Sequence, residues 1–209
     1  YQRRVRGQMT KIPQPGTAAP DFAVEVLTPN MTFEKRKLSD YKGKYLVVMF
    51  YPLDFTFVCP SEIINFSDAA PAFQKINCNI LIGSCDSVFS HYAWATQDRK
   101  EGGIGVSKCD LFADKSCKMA EDYGVLIKDE GIALRGLFVI SDKGIIRSVT
   151  VNDLPVGRSL EECMRLVQAF QYADKTGNVI PCGWKPEKMD DIIKPDVEGM
   201  KEYFSKHFK

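Results

Sequence analysis

The chain carries only two histidines, no C-x-x-C pair, no long apolar run and no excess of either charge. Each shortage removes a class of function. With 28 basic against 27 acidic residues the formal charge is +1. No global field therefore draws in nucleic acid, and no basic helix interleaved with aromatics supplies a local one. The longest apolar stretch, residues 45–53, falls far short of the ~20 residues that a bilayer-spanning helix needs. His91 and His207 both lie away from Cys59 in the sequence, so a cysteine hydrolase would have no placed base. His91 sits with Tyr92 and Trp94 on a presumed helix, where a packing or interface role is expected. The seven cysteines form an odd set, which argues against both a secreted disulfide scaffold and a structural zinc site. They fit a reducing compartment in which most thiols stay reduced.

What is present begins with a core-sized chain. Its 209 residues, 44% of them hydrophobic, suffice for one substantial core. The informative segment is Phe50-Tyr51-Pro52-Leu53-Asp54-Phe55-Thr56-Phe57-Val58-Cys59-Pro60-Ser61-Glu62. An apolar run before it reads as a short buried strand, and Ile63, Ile64, Phe66, Ala70 and Phe73 after it have helical spacing. Cys59 thus falls where a strand hands over to a helix. Backbone N–H groups and the helix dipole there stabilise an anion, which biases a thiol toward thiolate. Pro60 suits the first helical turn, where its missing N–H costs nothing. A buried cysteine acting as a small apolar filler is the alternative, but Pro52, Thr56 and Pro60 are poor core formers.

The run Pro52-x-x-x-Thr56-x-x-Cys59 resembles the peroxidatic motif of the peroxiredoxins, and its surroundings resemble the typical two-cysteine subfamily. The likeness continues through Arg135-Gly136-Leu137-Phe138-Val139-Ile140, Val151-Asn152-Asp153-Leu154-Pro155-Val156-Gly157-Arg158 and Tyr203-Phe204, in register from about Pro20 to the end.

Periodicity predicts strands at 22–27, 45–51, 79–84, 137–141 and 145–151, a return strand at 31–33 and a short strand near Asp110. It predicts helices at 60–76, 87–100, 116–123 and 159–174, the last capped by Ser159. The β-α-β-α order from residue 45 implies parallel strands with crossover helices, and Asp142-Lys143-Gly144 a hairpin turn. The fold class expected is α/β: a central mixed sheet flanked by helices, similar to the thioredoxin fold, as the resemblance also implies. Residues 1–19 form an irregular basic segment, 20–175 the thioredoxin-like peroxidase domain and 176–209 a C-terminal arm. Residues 1–20 carry Arg3, Arg4, Arg6 and Lys11 and no acid, a composition that fits a mitochondrial presequence or a basic arm. The expected location is cytoplasmic, with mitochondrial as the alternative.

The resemblance assigns roles. Cys59 would be the nucleophile, and Arg135 would hold a fixed positive charge over it. Thr56 would accept from and donate to the bound peroxide, Pro52 would shield the sulfur from water, and Glu62 would hold the arginine fork. Arg158 matches a family position too, with a loop or interface role equally open. A second thiol must close the cycle, because a sulfenic acid condenses with a thiol to a disulfide. The family's resolving cysteine stands in a Val-Cys-Pro tripeptide before a tryptophan, whereas this chain reads Val179-Ile180-Pro181-Cys182-Gly183-Trp184. Cys182 is still the expected resolving thiol, since a mobile tail absorbs a displacement of about 7 Å. Cys78, Cys85, Cys109, Cys117 and Cys163 are expected to be core filler.

The expected activity is reduction of hydrogen peroxide and alkyl hydroperoxides, with an intersubunit Cys59–Cys182 disulfide re-reduced by thioredoxin. No cofactor or metal is implied; a homodimer, assembling into five dimers, is. Gly102-Gly103-Ile104-Gly105 with Tyr203-Phe204 resembles the pair of elements found in overoxidation-sensitive members. The alternatives are a peroxide sensor, a holdase chaperone in ring form, and a disulfide oxidoreductase. The last fails on Glu62, which occupies the place of its second cysteine.

Overall fold

The computed structural model describes residues 11–188 and 190–208. The basic segment Arg3–Arg6 lies outside them. They group into two compact units, one ending at Arg158 and one beginning at Ser159. The fourth helix therefore groups with the tail, where the sequence placed the boundary after that helix.

The first unit is built on seven strands: β1 (Ala23–Leu27), β2 (Phe33–Lys37), β3 (Tyr45–Phe50), β4 (Cys78–Ser84), β5 (Asp110–Ala113), β8 (Arg135–Ile140) and β9 (Ile146–Asn152). Their order across the sheet is β2-β1-β5-β4-β3-β8-β9. β3, β4 and β5 run parallel, β1 and β8 run antiparallel to them, and the edge strands β2 and β9 pair antiparallel with β1 and β8. Between β5 and β8 a two-stranded ribbon forms from β6 (Leu126–Ile127) and β7 (Ile132–Ala133), too short to show alternation in the sequence.

Every residue of β3 is buried, as both faces of a parallel centre require. Leu46, Val48 and Phe50 share one face by the pleat and join a core with Phe112, Tyr123, Val125 and Phe138. Phe50 is the hub of that core, with ring centroids 5.1 Å from Phe112, 5.4 Å from Tyr123 and 5.9 Å from Phe138. Helices α1 (Cys59–Lys75) and α2 (Val88–Thr96) pack against β4 and against β1 and β5. The short α3 (Lys118–Asp122) precedes the ribbon.

Three expectations shift. The return strand begins at Phe33, because Met31 takes a left-handed φ of 60° in a turn closed by Thr28 and Thr32 hydroxyls 2.7 Å apart. The helix predicted for 87–100 stops at Thr96; Asp98 then caps a 3-10 turn over Arg99–Glu101 that Gly102 ends at φ 85°. The helix expected from Pro60 already includes Cys59.

In the second unit α4 (Leu160–Thr176) starts on Ser159, whose Oγ accepts from the Glu162 N–H, and ends at Gly177. The following chain is irregular, held by a bridge between Val179 and Ile193. It ends in α5 (Val197–His207), capped by Asp196 and carrying Tyr203 and Phe204.

Candidate active site

The site is assembled where β3 ends and α1 begins. Cys59 opens α1 and is 1% exposed, so its sulfur is buried at the helix N-terminus. From the neighbouring strand, Arg135 at the start of β8 donates from Nη1 to Cys59 Sγ at 3.4 Å. The same nitrogen donates to Glu62 Oε2 at 2.7 Å, and Arg135 Nε donates to the Leu154 carbonyl at 2.6 Å. Glu62 lies one helical turn after Cys59 and is likewise buried. Cys59, Glu62 and Arg135 are thus brought together as expected.

Arg158, left open in the sequence, proves to be the second half of this cage. Its Nε and its backbone N–H both donate to Glu62 Oε1, at 2.7 and 2.9 Å. Its Nη1 donates to the carbonyls of Phe50 and Gly136 at 2.7 and 2.6 Å. One carboxylate therefore orients two guanidinium groups, and burial is offset by hydrogen bonds on every side but one. Burial pushes the Arg158 guanidinium below its ordinary value, and the adjoining Glu62 carboxylate works against that shift. The exception is Arg158 Nη2, a buried donor with no partner among the described residues. Two glycines make room. A Cβ on Gly136 would come within 2.7 Å of Val125, and one on Gly157 within 3.3 Å of Glu62.

The loop between β3 and α1 is anchored by groups the sequence did not connect. Tyr51 Oη donates to Asp54 Oδ1 at 2.6 Å, and His91 Nδ1 lies 2.9 Å from Asp54 Oδ2. His91 Nε2 donates to the Phe112 carbonyl at 2.9 Å. The histidine expected to serve packing or an interface is fully buried and ties this loop to β5. The Asp54 N–H donates to Asp86 Oδ2, which also accepts from Ser84 Oγ. Burial raises the Asp86 carboxyl, and the Asp54 charge adds to the rise. Only the position of Asp54 inside the motif could have hinted at this network. Pro52 is buried at the start of the loop. Thr56 is half-buried, and its hydroxyl donates to the Leu53 carbonyl at 2.9 Å, within its own turn.

Further on, the glycine-rich turn is a closed loop. The Trp94 indole donates to the Gly102 carbonyl at 2.8 Å, and Ile104 is buried. In the second unit Cys182 is exposed. The Arg165 guanidinium, raised chiefly by its hydrogen bonds to Glu162, also feels the Cys182 sulfur.

A cysteine at a helix N-terminus under a clamped guanidinium, on a sheet of this topology, is the arrangement of thioredoxin-like thiol peroxidases. Residues 15–149 match the AhpC/TSA family, and residues 169–206 match the C-terminal domain of 1-Cys peroxiredoxin. Curated relatives include a peroxiredoxin of Cynops pyrrhogaster, 58% identical with 92% of this chain and 96% of that protein covered. Peroxiredoxin-1 of Gallus gallus is also 58% identical, with 91% and 95% covered. Among solved structures, the reduced 2-Cys peroxiredoxin of Plasmodium vivax superposes with a TM-score of 0.88 at 39% identity, covering 91% of this chain and 98% of that one. The chain belongs to the AhpC/TSA family and is a peroxiredoxin, a thiol-dependent peroxidase.

Proposed function

We propose that Cys59 attacks hydrogen peroxide or a small alkyl hydroperoxide and that Cys182 of a second copy resolves the product. The observation that carries the reading is the 3.4 Å contact between Arg135 and Cys59, with Glu62 holding the arginine in place. An ionised sulfur at this point has a fixed donor beside it, and charge-assisted bonds of this kind are the stronger ones. The sulfur forms an S–O bond as the O–O bond breaks, and the departing hydroxide or alkoxide takes up a proton. Arg158 Nη2 is a buried donor free to bind that leaving oxygen. The Thr56 hydroxyl, donating to Leu53, keeps lone pairs for the peroxide O–H, and Pro52 presents no N–H of its own.

The sulfenic acid then condenses with the Cys182 thiol; an S–S bond forms and water leaves. Residues 169–206 match a domain named for one-cysteine proteins, and the exposed Cys182 is what supports a two-cysteine cycle here. A dithiol reductant of the thioredoxin type would return both sulfurs to thiols. In the closed pocket a second peroxide would carry Cys59 to the sulfinic acid, the sensitivity that the glycine-rich turn and Tyr203-Phe204 suggest.

Assembly into dimers and five-dimer rings is supported by an unpartnered apolar surface. Phe89 is 71% exposed, and the half-exposed Phe33 stacks edge-on against Phe89 and Tyr92. Monomers rarely leave aromatics so grouped in water. The same surface supports the second reading, a holdase or peroxide sensor in ring form. The deciding experiment adds one equivalent of hydrogen peroxide to the reduced protein and resolves it on a non-reducing gel, with and without thioredoxin. A disulfide-linked dimer that thioredoxin returns to monomer is expected. Peroxide consumed with Cys59 joined to a thiol other than Cys182 would overturn the resolving step.

A further inference from the structure

Two of the cysteines expected to be filler are neither deeply buried nor apart. Cys85 follows β4, and Cys117 stands at the entry to α3; both are half-buried at the edge of the core. The backbone brings them together. Ser84 pairs with Ala113, the Asp114 N–H donates to the Ser84 carbonyl at 2.8 Å, and the Cys117 N–H donates to the Asp114 carbonyl at 2.7 Å. The chain thereby turns back over the end of β4, and Cys117 comes close enough to Cys85 for each thiol to feel the other. Cys117 holds this place at φ 58°, in the left-handed region that favours glycine. Such strain in a non-glycine residue persists only where the surroundings enforce it.

We propose that Cys85 and Cys117 are a second redox pair, which peroxide closes into an intrachain disulfide without help from Cys59 or Cys182. The two sulfurs differ in the way a nucleophile and its resolving partner should. Burial, and after it the neighbouring Cys117 thiol, push Cys85 far above the ordinary cysteine range, with Asp114 and Asp86 adding to the effect. Cys85 therefore waits as a thiol. Cys117 Sγ makes a weak, exposed contact with the Gly131 carbonyl at 3.7 Å and is the sulfur nearer solvent. Its thiolate attacks the hydroperoxide, forming an S–O bond while the O–O bond breaks and water or an alcohol leaves. The Cys85 sulfur then displaces hydroxide from the sulfenic acid, which departs as water with the thiol proton. One peroxide is reduced and two thiols are oxidised. Among the described residues no arginine is clamped against Cys117, so the step is far slower than attack by Cys59 and takes effect when peroxide is in excess. The bond would close residues 85–117 into a ring at its base. That ring contains α2, the glycine-rich turn and His91, which holds the loop leading to Cys59.

The test uses the full chain carrying Cys59→Ser and Cys182→Ser, shown by circular dichroism to be folded, and exposes it to excess hydrogen peroxide. Remaining thiols are then blocked and the protein is mapped by non-reducing peptide mass spectrometry. The expected result is a linked peptide containing Cys85 and Cys117 and the loss of one thiol pair, both abolished by adding Cys117→Ser. The same mapping of the wild-type chain at excess peroxide gives a second readout should the variant misfold. Recovery of Cys85 and Cys117 on separate peptides, reduced or taken to sulfinic acid, would overturn the proposal, as would a link that forms only in denaturant. Since neither Cys59 nor Cys182 takes part, an error in the assignment of those two would leave this readout unchanged.

Discussion

The surroundings of Cys59 and Cys182 differ in almost every physical respect. Cys59 is 1% exposed, fixed as the first residue of a 17-residue helix, and faces a guanidinium whose position is set by a buried carboxylate. Cys182 is exposed in an irregular stretch between Pro181 and Gly183, two residues before the buried Trp184, whose carbonyl accepts from Arg165 Nη1 at 3.4 Å. The contrast separates two demands. Attack on peroxide needs a dry site organised before substrate arrives. Resolution needs a thiol that another sulfur can reach, so an exposed one serves it better.

The comparison breaks outright if Cys59→Ser retains peroxide consumption; complete loss in a stopped-flow assay is expected, because a serine oxygen there would not ionise. Cys182→Ser should lose sustained turnover with thioredoxin yet complete the first oxidation, which a single-turnover peroxide assay reads. It should also run as a monomer on a non-reducing gel. Arg135→Ala should lower the second-order rate with peroxide by about 100- to 1000-fold, as removal of one preorganised donor does elsewhere. Arg158→Ala tests the cage as structure. It strips Glu62 of one partner while Arg135 remains, and should lower stability by roughly 3 kcal/mol in urea unfolding. The smallest effect concerns register. Moving the tail cysteine back with Ile180→Cys and Cys182→Ala should change the resolution rate by less than about tenfold, since two residues displace the thiol by at most about 7 Å. A larger drop would show that Cys182 is positioned as strictly as Cys59.

Much of this was legible in the residues themselves. The all-apolar β3, the alternation of β1 and the Ser159 cap are local signals, and each element formed within a few residues of its expected bounds. Cys59, Thr56 and Pro52 belong to one short run, so local order placed them near each other, and the likeness of blocks around 135 and 158 pointed to the arginines. Local pattern settled the class of fold and marked Cys59 as the candidate nucleophile and residues after 176 as an irregular arm. It did so because strand periodicity, helix starts and proline-rich irregularity depend on neighbours in the chain. Tertiary structure alone decided the rest. Glu62 joins Arg135 and Arg158 across 73 and 96 residues, His91 reaches Asp54 across 37, and Cys85 meets Cys117 only because β5 pairs with β4. Buried charges must find partners wherever the chain brings them, and no local pattern records which strand ends will be adjacent once the sheet has formed.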